Sequence, residues 1–148
     1  MCIRDRSIWF SNYKIEDLNN FSVNMDKYLG IEFIEIGQDF LKAKMPVDHR
    51  TKQPMGLLHG GASCVLAEST ASFAAFLVVN PEEKVVVGIN LTANHVKSTT
   101  DGSIYAKASP KHIGKSTSIW HVEITDDNNE LICDIQFTAM HKDKTQKR

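Results

Sequence analysis

Apolar and polar residues alternate with period two along most of this chain, and a helical period takes over in only one long stretch. Ile31–Ile36 and Phe40–Val47 read as two strands joined by a turn at Gly37-Gln38-Asp39. In the second, Leu41, Ala43, Met45 and Val47 form one apolar face against Phe40, Lys42 and Lys44. Lys84–Lys97 alternates in the same way, with Val85, Val87, Ile89, Leu91 and Ala93 on one side and Gly88, Asn90, Thr92 and Asn94 on the other. Ser103–Pro110, Ser116–Thr125 and Glu130–His141 complete the set, with turns at Thr100-Asp101-Gly102 and Asp126-Asp127-Asn128-Asn129. In the last strand Leu131, Cys133, Ile135, Phe137 and Ala139 oppose Asp134, Gln136 and Thr138.

The exception runs from Gln53 to Val78. Pro54 and Gly56 break the preceding strand, and after Gly61 an Ala-, Leu- and Phe-rich run without proline predicts one helix of about six turns, ended by Asn80-Pro81-Glu82-Glu83. Shorter helices are expected near Lys14–Phe21 and over Ser22–Gly30, where Ser22 would cap, Met25, Tyr28 and Leu29 would form the apolar face, and Gly30 would terminate. Residues 1–21 form a leader with that short helix, 22–141 one domain, and 142–148 a frayed polar tail, with Met1–Arg6 outside the expected fold. One long helix and about six hairpin-linked strands predict an α+β fold, an antiparallel sheet curled around a buried helix.

Composition narrows the function without naming it. At 148 residues the chain suits a single domain, and its formal charge of −1 argues against a nucleic-acid or bulk membrane partner. Cys2, Cys64 and Cys133 are odd in number and not at metal-ligand spacing, which fits reduced thiols in a cytoplasmic protein. No apolar run is long enough to span a bilayer, and Arg4-Asp5-Arg6 is not followed by a signal-peptide core. His49, His121 and His141 are scattered without carboxylates at ligand spacing, so no metal is expected. Without a glycine-rich phosphate loop, no dinucleotide cofactor is expected either.

The chemistry concentrates on the helical stretch. Glu68 is the only charged residue between Lys52 and Glu82, and its place in an apolar helix predicts a buried carboxylate, which is either satisfied or functional. Gly61, Cys64, Val65, Ala71, Ser72 and Ala75 share its face, a mostly small stripe that would leave room for a flat acyl group. Gly60 and Gly61 open the helix, where free N–H groups and the positive dipole end can hold a developing negative charge. His59 and Glu68 are nine positions apart, half a turn out of phase and about 13 Å along the axis. One helix cannot bring Gly60 and Glu68 to one reacting atom, so their joint action requires a second copy across a two-fold axis.

The run Gln-Pro-x-Gly-x-x-His-Gly-Gly-x-x-x-x-Leu-Ala-Glu-Ser resembles the signature of hotdog-fold acyl-CoA thioesterases, in the branch of naphthoyl-CoA hydrolases and siderophore proofreading thioesterases. The likeness continues through Val87–Lys97 and Pro110–Ser116 and covers roughly residues 25–141. It implies a hotdog fold, hydrolysis of an aryl- or naphthoyl-CoA, and no cofactor, CoA being part of the substrate. It gives Glu68 the role of base or nucleophile and the Gly60 N–H that of oxyanion donor. His59 would position the thioester, Gln53 would orient the attacking water, and Ser72 would hydrogen-bond the carboxylate or the water. Gly88, with His95, Val96, Lys97 and Ser98 and with His112, Ile113, Gly114, Lys115 and Ser116, would contact the pantetheine and nucleotide. Lys97 stands where relatives often carry Arg, which removes bidentate phosphate contact. A homodimer with shared sites, assembled as a dimer of dimers, and an acyl or aryl carrier protein as alternative partner follow from the same likeness. An acyl-thioester dehydratase and a non-catalytic acyl-CoA binding module are the rival readings. The His-Gly-Gly…Ala-Glu order and the presence of Glu68 stand against them.

Overall fold

The computed structural model describes residues 6–144, so the leader expected over Met1–Arg6 and the end of the polar tail fall almost wholly outside the described residues. The elements are α1 (Ile15–Phe21), α2 (Met25–Leu29), β1 (Glu32–Ile36), β2 (Leu41–Pro46), α3 (Gly60–Leu77), β3 (Lys84–His95), β4 (Ser103–Ile113), β5 (Thr117–Thr125) and β6 (Leu131–Asp143). The six strands form one antiparallel sheet in the order β1-β2-β4-β5-β6-β3. After β2 the chain passes through α3 to the far edge, lays down β3, and fills the gap with the β4–β5–β6 meander. This is the α+β architecture expected from the sequence. β6 reaches Asp143, so residues 142 and 143 belong to the sheet rather than to a frayed tail.

The concave face of the sheet wraps α3. Leu41, Ala43 and Met45 on β2, Ile104, Ala106 and Ala108 on β4, Trp120, Val122 and Ile124 on β5, and Ile135, Phe137 and Ala139 on β6 are fully buried against it. Alanines on both sides, with Ala67, Ala71, Ala74 and Ala75 from the helix, let backbone approach backbone closely while Trp120, Phe137 and Leu66 fill the volume between. Trp9 stacks on Trp120 at 6.4 Å, and its Nε1–H donates to the Gly37 carbonyl, so the N-terminal segment closes one end of the core.

Two local expectations are corrected. Ser22 is the C-cap of α1, not the N-cap of α2; Asn24 takes that place at φ 57°. Gly30 does end α2, at φ 76°, but Met25 and Tyr28 are exposed and only Leu29 is buried. The larger correction concerns β3, where the pairing with β6 shifts by one residue between Gly88 and Asn90. An extra residue reverses which side faces the core. Val86 packs inward before the bulge, and Leu91 and Ala93 after it. Val85, Val87 and Ile89, expected on the same face as Leu91 and Ala93, point outward and stay 40–50% exposed.

Candidate active site

The site is built from the way α3 begins. His59 has extended backbone (φ −69°, ψ 129°), and its Nδ1 accepts the Gly61 N–H at 2.8 Å, so an imidazole caps the helix. That bond fixes Nε2 as the protonated nitrogen of a neutral ring. The Ala62 N–H bonds the His59 carbonyl. The Gly60 N–H, at the positive end of the helix, has no acceptor among the described residues. The preceding loop is stapled in place by Leu58 N–H to the Thr99 carbonyl and His59 N–H to the Thr51 carbonyl, both 2.8 Å.

Across from this helix start stands the end of β3. A Cβ on Gly60 would meet the His95 ring at 3.0 Å, so glycine is what allows the close approach. A cleft of about 430 Å³ brings Gln53 and Gly60, from the expected catalytic set, together with His95, Val96, Lys97 and Ser98, from the expected CoA-contact set. The Gln53 Oε1 accepts the Met55 N–H, leaving its amide nitrogen for a ligand. Lys97 is held by Glu130 and by Asp126 at 3.1 Å, two partners on the β5–β6 turn that lie 29 and 33 positions away. These hydrogen bonds, Glu130's first, hold the Lys97 ammonium proton more firmly than in a free lysine. Lys97 therefore carries a charge already balanced by carboxylates.

Glu68 lies eight residues beyond Gly60, about 12 Å along the axis, and is exposed rather than buried. It has no hydrogen-bond or ion-pair partner among the described residues. Its Oε1 sits 3.1 Å from where a Gly88 Cβ would be, so Gly88 leaves the carboxylate its space under the β3 edge. Burial was expected because the helix is apolar, but β3 is the last strand of the sheet and nothing among the described residues covers that flank. Two members of the small stripe, Ala71 and Ala75, are fully buried against the sheet and form no pocket floor. Ser72 makes no hydrogen bond to Glu68 among the described residues. It lines a separate apolar groove of about 360 Å³ between α1 and α3, with Tyr13, Phe21, Phe73 and Phe76.

His112 and Ile113 end β4, and Gly114, Lys115 and Ser116 form the turn to β5, closed by Gly114 N–H to the Thr117 carbonyl. They do not join the first cleft. His95 pairs with Cys133 and Thr117 with Met140, so seven residues of β6, roughly 23 Å, separate the two clusters in one chain. The histidines are also less scattered than expected. The β5–β6 register sets Glu123 opposite Asp134, and His121, opposite Gln136, reaches Asp134 diagonally at 2.6 Å, so that all three ligand atoms lie within 4.8 Å. Cross-strand neighbours of this kind leave no mark in sequence spacing. Sequence reading also missed Ser63, which lines the cleft beside Gly60 and whose Oγ is buried without a partner among the described residues; it looks like ordinary helix filler between Ala62 and Cys64.

The model of the thioesterase superfamily matches residues 55–133, the span from the capping loop to β6. A 1,4-dihydroxy-2-naphthoyl-CoA hydrolase from Escherichia coli is 46% identical over 133 residues, covering 89% of this chain and 97% of the relative. A proofreading thioesterase from Cronobacter turicensis is 39% identical over 127 residues, covering 85% and 92%. The crystal structure of a mutant thioesterase from Pseudomonas aeruginosa matches with a TM-score of 0.91 at 36% identity, covering 93% of this chain and 99% of that one. The chain belongs to the thioesterase superfamily and is a thioester hydrolase of the hotdog fold. Among the described residues no helix is long and apolar enough to cross a membrane.

Proposed function

From that membership, we propose that the chain hydrolyses the CoA ester of an aromatic acid in the cytoplasm, at a site shared by two copies, with 1,4-dihydroxy-2-naphthoyl-CoA as the first substrate to test. The likeness to the Escherichia coli hydrolase supports the acyl group. The observation that carries the shared site is the separation within one chain. The Gly60 N–H and the Glu68 carboxylate are both unengaged, yet about 12 Å apart along one helix.

Pairing two β3 edges antiparallel across a two-fold axis removes the separation. The His95 end of one copy then runs beside the Lys84 end of the other. That is the end where β6 reaches Asp143 and where the 112–116 turn lies, so His95–Ser98 of one copy and His112–Ser116 of the other would frame one pantetheine channel. Outward Val85, Val87 and Ile89 supply the apolar contact, and two such dimers pair into a tetramer. In the reaction, Glu68 deprotonates water as it attacks the thioester carbonyl, or attacks the carbonyl itself to give an anhydride that water then cleaves. The carbonyl oxygen becomes an oxyanion facing the other copy's Gly60 N–H, and collapse expels the CoA thiolate, which takes up the proton. Gln53 orients the water, and His59, with Nε2–H free, holds the thioester side. Ser72 lies one turn past Glu68 and lines the apolar groove into which the ring would extend. The proofreading relative favours a second reading, release of misloaded aryl groups from a carrier protein.

Two experiments test the proposal. A panel of benzoyl-, 1,4-dihydroxy-2-naphthoyl-, phenylacetyl- and palmitoyl-CoA, with benzoyl-loaded carrier protein, is followed by thiol release; preference for palmitoyl-CoA overturns the aromatic reading. The second mixes Glu68→Gln and Gly60→Pro chains. Glu68→Gln removes the base and lowers kcat by about 10³–10⁴. Proline suits the first helical position and the extended backbone of His59, so Gly60→Pro keeps the helix start while replacing the N–H by ring carbon and costs at least about 10²–10³, with Gly60→Ala as the control for a Cβ beside the His95 ring. Mixed dimers contain one intact site and regain activity; no recovery on mixing means the site is not shared.

A further inference from the structure

The carbonyl cleft holds a second hydroxyl that the reaction as described does not use. Ser63 lies one turn into α3, on the wall of the cleft that contains Gly60. It is 1% exposed, and its Oγ has no hydrogen-bond partner among the described residues. A helical serine or threonine normally resolves this by bonding the carbonyl four residues back. Thr70, on the same helix and equally buried, does so, its Oγ1 donating to the Leu66 carbonyl at 2.7 Å. Ser63 has the same option in the His59 carbonyl and does not take it. That carbonyl is already an acceptor for the Ala62 N–H at 2.9 Å and, at 3.4 Å, for the Ser63 N–H.

An orphaned hydroxyl in a dry helix wall is a standing cost to the fold unless a ligand supplies the acceptor. The nearest acceptor the chemistry can bring is the thioester oxygen, which the reading above directs at the neighbouring Gly60 N–H. We propose that Ser63 is the second oxyanion donor. As the carbonyl oxygen gains charge, rotation about the Cα–Cβ bond carries the Ser63 O–H from its closed position to that oxygen, beside Gly60. No proton leaves Ser63, and no bond to its oxygen forms. The hydrogen bond strengthens as the carbonyl π electrons move onto oxygen and relaxes when the C–S bond breaks. Exclusion of solvent from the Oγ makes the bond count for more than it would at an open surface.

This inference rests on the oxyanion reading of Gly60, and one set of variants separates their failures. Ser63→Ala is measured for kcat, KM and Tm on the panel thioester that wild type cleaves fastest, with Ser63→Cys as the size-matched weak donor. The expected result is a kcat lower by roughly a hundredfold at unchanged KM, and a Tm equal to or above wild type, because an unsatisfied buried hydroxyl has been removed. Ser63→Cys should fall between the two. A role confined to packing would lower Tm and leave kcat alone. Unchanged kcat in Ser63→Ala, or kcat and Tm falling together, overturns the inference for Ser63 alone if Gly60→Pro is inactive. If Gly60→Pro retains full activity, the oxyanion reading and this inference fall together.

Discussion

The two edges of the sheet are treated in opposite ways. β1 is five residues long and backed by α1; the Asn19 side chain plugs its free edge, donating to the Phe33 carbonyl at 3.0 Å and accepting the Phe33 N–H at 2.8 Å. Its outward glutamates, Glu32 and Glu35, face Lys44 and Lys42 across the strand pair. β3 is twelve residues long, with no such plug among the described residues, and shows Val85, Val87 and Ile89 to solvent. Proteins ordinarily shorten, charge or cover an edge strand to prevent pairing. Here one edge carries all three safeguards, and the other, among the described residues, carries none of them between Val85 and Asn94. The unguarded edge is also the one beneath which Glu68 sits against Gly88. The asymmetry therefore places the prospective reaction centre where a second chain would pair.

The sharpest way to break this contrast is to guard the open edge. Val87→Lys with Ile89→Lys would put two charges on outward positions of β3 that stay 40–50% exposed in the single chain. Size-exclusion chromatography should then show monomers, and activity should fall by more than about 10², since Glu68 and Gly60 no longer meet. A monomer with full turnover would show that the edge has no part in the site. The reverse change opens the closed edge. Asn19→Ala leaves the buried Phe33 backbone N–H and carbonyl without their side-chain partner and should cost about 1–3 kcal/mol in denaturant unfolding. Its kcat should stay near wild type, because β1 lies at the far side of the sheet from β3.

What the sequence made legible follows the reach of each signal. Period-two alternation identified the core faces of β2 and most of β6 because both run straight through the middle of the sheet. The same signal misplaced Val85, Val87 and Ile89, since a one-residue bulge at Gly88–Asn90 reverses the faces while leaving the pattern unbroken. The free N–H groups at the helix start follow from the order of residues 59–61, so the opening of α3 beside the cleft was readable. The exposure of Glu68 was not, because it depends on which strand ends the sheet. The ion pairs of Lys97 were not readable either, because Asp126 and Glu130 reach it only through the β5–β6 turn.

The smallest expected effect concerns the inner support of the open edge. His141 sits on β6 directly beneath β3, paired with Val86, and is 5% exposed. Its Nε2 faces Ser118 Oγ at 2.9 Å, and the Trp120 Nε1–H donates to that same oxygen, so Ser118 donates to a neutral imidazole. The His141 backbone N–H donates to the Ser116 carbonyl at 2.8 Å, tying the β4–β5 turn to β6, and the Gly114 and Lys115 backbone beside the ring pulls its pKa upward without outweighing burial. Burial pushes the His141 pKa below the ordinary histidine value of 6.5, and the nearby Lys84 charge pushes the same way. The unfolded chain therefore binds this proton more readily than the folded one. The stability His141 contributes is complete above pH 6.5 and is lost as pH falls through the lowered folded value, with a slope of at most about 1.4 kcal/mol per pH unit. His141→Gln keeps hydrogen-bonding capacity without a titrating group, so its Tm should fall less steeply than wild type between pH 7 and 5, even if it starts lower. Parallel slopes would mean that His141 does not set the acid sensitivity of this side of the sheet. The closed edge, held by the amide of Asn19, should carry no such dependence, and the slope of Asn19→Ala should match wild type.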